Sequence, residues 1–158
     1  MNTNYAGFWL RFVAYVIDYI IIYTVQIFLV VPILAVVGIN FASGMSNADN
    51  MSEAEMFGMI AGMVGAMGAT IVLTFALIVL YYTIMETSKF QATVGKLAVG
   101  LKVTDSNGEK LDFTKALVRN LCKIISSMIL FIGYIMAGFT EKKQGLHDII
   151  AGTLVVKK

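Results

Sequence analysis

The chain has 158 residues, of which 58% are hydrophobic and only 14% charged, with a mean hydropathy of +0.80. Soluble domains carry about 45–50% apolar and about 25% charged residues, so this balance is that of an integral membrane protein and excludes a disordered chain. One cysteine, Cys122, and one histidine, His147, give neither a disulfide framework nor a zinc site, and a net charge of +2 carries no nucleic-acid signature.

The first apolar run reads as a transmembrane helix over 8–37. From Phe12 to Val37 the only charge is Asp18, and about 20 such residues suffice to cross the hydrocarbon core. Pro32 marks a kink or the far end. A cleaved signal peptide is not expected, because the run is too long and Asp18 interrupts it. An external loop, 38–55, follows with Asp49, Glu53 and Glu55. The second helix is read over 56–85, where Met56 to Met85 holds no charge.

The cytoplasmic segment 86–115 begins a basic region. Lys89, Lys96, Lys102, Lys110, Lys115, Arg119 and Lys123 cluster here, whereas no Lys or Arg lies between residues 12 and 88. The positive-inside rule therefore puts the N-terminus and this segment in the cytoplasm. Ala98–Thr104, the Asn107-Gly108 turn signal and Lys110–Phe113 predict a small β-hairpin, with Thr114 capping the next helix.

The third segment, 116–139, has two readings. Ile124–Phe139 offers 16 uncharged residues, short for a crossing. It either crosses once or dips in and returns as a helical hairpin near Ser126-Ser127. The second reading leaves the four C-terminal lysines, Lys142, Lys143, Lys157 and Lys158, in the cytoplasm. In the C-terminal part, 140–158, Leu154-Val155-Val156 reads as a strand.

Five constellations bear on chemistry. Arg11 and Asp18 lie two helical turns apart on one face, about 10.5 Å along the axis. A carboxylate at this depth costs about 2.5–3.5 kcal/mol and must face protein or water with a partner. It serves either as a cation or proton site or as an interhelical clasp. His147 and Asp148 form the second group, read as pH sensing or proton relay on one side and as a tether of the C-terminal turn on the other. Asp148 is placed to accept from Arg11. Gly58, Gly62 and Gly65 share one face of the second helix and read as a helix-packing surface, against the first helix or a second copy. Met56, Met59, Met63 and Met67 form a stripe opposite. It reads as adaptable apolar packing, with copper binding the weaker alternative. Glu86 closes the second helix as a boundary residue able to join an ion-pair network with Arg11. The stretch Gln91–Lys96 is no phosphate loop, since Leu97 stands where Ser or Thr is needed. No metal, cofactor or enzymatic site emerges.

Three segments together resemble the RDD family of small prokaryotic membrane proteins. They are Gly7-Phe8-Trp9-Leu10-Arg11-Phe12-Val13-Ala14-Tyr15-Val16-Ile17-Asp18, Thr93 through Val103, and Gln144-Gly145-Leu146-His147-Asp148-Ile149-Ile150-Ala151-Gly152-Thr153. The resemblance implies that Arg11, Asp18 and Asp148 are the residues for which the family is named and that they work as a set. It also carries a suggestion of transport, including cation/proton exchange.

The sequence thus describes one all-α membrane domain over 1–158, multi-pass in the inner membrane, in contact with the lipid bilayer and homo-oligomeric. The preferred expectation is a small transporter or exchanger of protons and monovalent cations. The alternative is a non-enzymatic adaptor or regulatory subunit that binds another membrane protein, with the three charged residues only holding the fold.

Overall fold

The computed structural model describes residues 4–128 and 132–158. Helix α1 runs from Phe8 to Met45 and α2 from Glu53 to Glu86. With 38 and 34 residues they extend about 57 and 51 Å. Both are long and apolar enough to cross a membrane. Helix α1 outlasts the expected limit of 37, because Asn40 and Ser43 are no obstacle to helix. Pro32 lies inside it. The expected loop 38–55 shortens to a few residues. Helix α2 starts early because Ser52 and Glu55 form a capping box: Glu55 N donates to Ser52 Oγ at 3.3 Å and Ser52 N to Glu55 Oε2 at 2.8 Å.

The chain divides into two compact units. The first comprises residues up to Ile21 together with Ile78–Lys158, and the second Ile22–Leu77. In the second unit the upper α1 and lower α2 lie beside each other. A Cβ at Gly44 would strike the Met59 sulfur. Val37, Asn40, Phe41, Met59, Gly62, Met63 and Ala66 line a shallow groove of about 220 Å³. The methionine side of α2 therefore faces α1. Gly58 and Gly65 do not line that groove and Gly62 does, and a Cβ at any of the three meets nothing within 4 Å. Met59 and Met63 are the less exposed residues of α2 at this groove, with the small residues Gly62 and Ala66 beside them.

In the first unit α3 (Val94–Ala98) leads into β1 (Leu101–Asp105), then α4 (Phe113–Met128), α5 (Ile132–Ile135), α6 (Leu146–Ala151) and β2 (Thr153–Lys157). The strands pair antiparallel, Leu101 opposite Lys157 through Asp105 opposite Thr153. Tyr5 bridges to Val156 on the other side of β2. The predicted hairpin is thus corrected. The tight turn forms, with Gly108 at φ 86, but Lys110–Phe113 is not its second strand. Asp112, not Thr114, caps α4 by accepting from Lys115 N at 2.7 Å, so the helix starts at Phe113, two residues earlier than a cap at Thr114 would start it. The strand read at Leu154–Val156 takes the place. Ala6, Ala14, Leu101, Val103, Leu111, Ala116 and Val155 make a small apolar core beneath the sheet.

The third segment is not one straight helix. Seven residues of helix would separate positions 126 and 133 by about 10.5 Å, yet a Cβ on Gly133 would lie 2.7 Å from Ser126 Cβ. The Tyr134 hydroxyl also reaches back to Lys123 O at 3.3 Å. Helix α4 continues past Ser126-Ser127 to Met128, so the chain does not turn at that pair. Residues 129–131 lie outside the described residues.

Helix α4 is inverted relative to a helix of a soluble protein. Its polar residues Arg119, Asn120 and Ser126 are buried, while Val118, Leu121, Ile124 and Ile125 are exposed. Polar interior and apolar exterior are what a lipid surrounding selects.

Candidate functional site: a buried charge cluster and an aspartate clasp

Asp18 sits on the buried face of α1, only 1% exposed. Its carboxylate receives three protein donors: Gly95 N at 2.8 Å, Thr93 Oγ1 at 2.5 Å and Tyr81 Oη at 3.1 Å. The first N–H groups of a helix have no partner within it. In α3 each finds a different side chain. Val94 N donates to Tyr81 Oη at 3.3 Å, Gly95 N to Asp18, and Lys96 N to Thr93 Oγ1 at 3.4 Å. Asp18 therefore fastens α3 onto α1. Gly95 is required for the approach, since a Cβ there would collide with Ala14 O and lie 2.9 Å from Asp18 Cγ.

Asp148 lies at the third position of α6 and is fully buried. It receives Gly145 N at 3.2 Å on Oδ2, where Arg11 Nη1 also binds. On Oδ1 it takes Arg119 Nε and Nη2, each at 2.8 Å. The rest of Arg11 is held by backbone: Nε to Ala6 O at 2.9 Å and Nη2 to Lys143 O at 2.6 Å. Arg119, 1% exposed, then bridges to Glu86 Oε1 at 2.6 Å. Glu86 is fully buried and also pairs with Lys96, while its Oε2 accepts from Asn120 at 3.3 Å. Burial would raise the Asp148 carboxyl, but the guanidinium groups of Arg119 and Arg11 hold it well below the usual range. Glu86 thus joins the network containing Arg11, through Arg119 and Asp148.

His147 is buried and contacts Ser126 Oγ through Nδ1 at 3.2 Å. Its ring packs 4.9 Å from the ring of Tyr134. Burial pushes it down to about 3, against the opposing pull of Asp148, so the imidazole is neutral at physiological pH.

The structure brings Arg11 and Asp148 together as expected, but gives Asp18 partners other than those two. Sequence reasoning missed Thr93 and Tyr81 as partners of Asp18, and Arg119 and Lys96 as the cations of Glu86. For Arg119 the signal was helical phase. Ala116, Arg119, Asn120, Lys123 and Ser126 recur on one side of α4, a polar stripe inside an apolar segment. No group of three or more His, Cys, Asp or Glu able to hold a metal occurs among the described residues.

Long apolar helices around a buried lattice of paired charges define a lipid-adapted helical protein whose polar groups serve its interior. The RDD family description matches residues 5–152, and the chain belongs to the RDD family. It is 39% identical over 153 residues to "Uncharacterized protein YxaI" of Bacillus subtilis (strain 168), covering 97% of each chain. It is 32% identical over 157 residues to "Uncharacterized membrane protein YteJ" of the same organism, covering 99% of this chain and 83% of that one. No solved structure matches.

Proposed function

We propose that this chain is a multi-pass membrane protein without enzymatic activity that binds and regulates another membrane protein. In this reading Arg11, Asp18 and Asp148 hold the fold. The observation that carries it is the closure of Asp18. All three of its donors are protein groups that also cap α3 or hold its first turn, which leaves the carboxylate no exposed face for a travelling cation. The description of the relative YteJ as a membrane protein supports the membrane setting. The N-terminus, the basic segment and the C-terminal lysines face the cytoplasm, with the doubled-back α4 and α5 inserted from that side. The open glycine face of α2, at Gly58 and Gly65, supplies the docking surface for a partner helix.

Affinity purification of the full chain in mild detergent tests this. A membrane protein should co-purify in stoichiometric amount, and Gly58→Leu with Gly65→Leu should lose it without lowering Tm. A clean homomer from the wild type would contradict the reading.

The exchanger reading preferred from sequence retains one supporting observation, the burial of a carboxylate in an apolar helix. It asks in addition for a route by which an ion reaches that carboxylate.

A further inference from the structure

The charges of the cluster do not balance. Four cations, Arg11, Lys96, Arg119 and Lys123, converge on two carboxylates, Glu86 and Asp148. The formal excess among the described residues is therefore two positive charges. Neutral His147 adds nothing, and Asp18, engaged at the start of α3, offsets one at most. Buried charge without compensation is strongly unfavourable. An anion held at the cluster would offset this excess.

Lys123 is where it is least met. Arg11, Arg119 and Lys96 each have a carboxylate within hydrogen-bond distance. The nearest carboxylate oxygen to Lys123 Nζ is Glu86 Oε1 at 3.7 Å, already shared by Lys96 and Arg119. Lys123 donates to Asn120 Oδ1 at 2.6 Å and lies 4.2 Å from the centre of the Tyr82 ring. An ammonium has three donors, and Asn120 takes one. The Lys123 side chain is 18% exposed, against 2% for Arg119, so it stands at the rim of the cluster. The side of α4 turned away from the cluster exposes Leu121, Ile124 and Ile125, so the helix that presents Lys123 suits a lipid surrounding.

We propose that Lys123, backed by the positive field of Arg119 and Lys96, binds a phosphate-type oxyanion, carried to this rim by the headgroup of an anionic phospholipid. The ligand would complete the neutralisation that Glu86 and Asp148 begin. This does not depend on the adaptor reading.

The test uses the full chain in nanodiscs of phosphatidylcholine, with and without phosphatidylglycerol. Phosphatidylglycerol should raise the wild-type Tm, as binding to the native state alone requires. Lys123→Gln should lose that increment, Lys123→Arg should keep it, and Lys110→Gln, at an exposed lysine, should keep it as a control for surface charge. In pure phosphatidylcholine Lys123→Gln should not lower Tm, because it removes an uncompensated charge. If inorganic phosphate in phosphatidylcholine gives the same Lys123-dependent increment and phosphatidylglycerol gives none, the anion site stands and its source is soluble phosphate. An increment equal in wild type and Lys123→Gln, no increment with either anion, or a marked drop in Tm of Lys123→Gln in neutral lipid would overturn the proposal.

Discussion

Two guanidinium groups share the Asp148 carboxylate, and one of them, Arg119, spans to Glu86. Removing one partner of a buried pair leaves the other charge uncompensated and costs about 3–5 kcal/mol. Arg119→Gln should destabilise by that amount in chemical denaturation, whereas Lys115→Gln should cost about 0–1 kcal/mol. The Lys115 pair with Asp105 is 3.6 Å long and its lysine is 47% exposed. A second expectation concerns acid. The folded state holds His147 at about 3, while the unfolded chain titrates near 6.5. Between those values the unfolded chain binds the proton that the folded one refuses, so stability is complete above pH 6.5 and falls as pH drops toward 3. The slope reaches about 1.4 kcal/mol per pH unit. Tm measured from pH 7 to pH 4 should decline in the wild type and decline less in His147→Asn. A decline unchanged by the substitution would refute this assignment. Arg11 and Asp148 were legible as partners from the terminal motifs. Arg119 was not, because a cation within an apolar run reads as the edge of a span until helical phase shows it sharing a side with Asn120 and Ser126.

The elements differ in how openly their sequences announce them. Helices α1 and α2 follow from uninterrupted apolar length, and only their ends were misjudged. The Ser52–Glu55 capping box moved one end and polar but helix-compatible Asn40 and Ser43 the other. The sheet was half legible. A strong local turn at Asn107-Gly108 suggested a hairpin, but strand pairing is decided by which segment can bury its apolar side chains. Leu154 and Val155 do so, while Asp112 serves as a cap. The clasp on α3 was hidden, since nothing in Thr93-Val94-Gly95 shows that Asp18 lies 75 residues away at hydrogen-bond distance. It makes a sharp prediction. Gly95→Ala forces a Cβ onto Ala14 O and should cost about 1–3 kcal/mol, read as a fall in Tm. Gly58→Ala, whose Cβ meets nothing, should change stability by no more than about 0.5 kcal/mol. Equal losses at the two glycines would contradict the clasp.

Across the whole molecule the usual distribution of residues is reversed within the first unit, where Asp18, Glu86, Lys96, Arg119, His147 and Asp148 are buried, and apolar side chains line the outside of α1, α2 and α4. Composition foretold the apolar exterior. It could not foretell how the few charges divide, with Arg11, Glu86, Lys96, Arg119, Lys123 and Asp148 in one network and Asp18 apart from it as the fastening of α3. In the proposed reading that division makes Asp18 a carboxylate that holds the fold and not one that carries ions. The direct test is cation-dependent proton flux in proteoliposomes after a pH jump, measured on wild type and Asp18→Asn with Tm recorded in parallel. The account predicts no flux above protein-free liposomes from either protein and a lower Tm for Asp18→Asn. Flux in the wild type that Asp18→Asn abolishes while leaving Tm unchanged would contradict it.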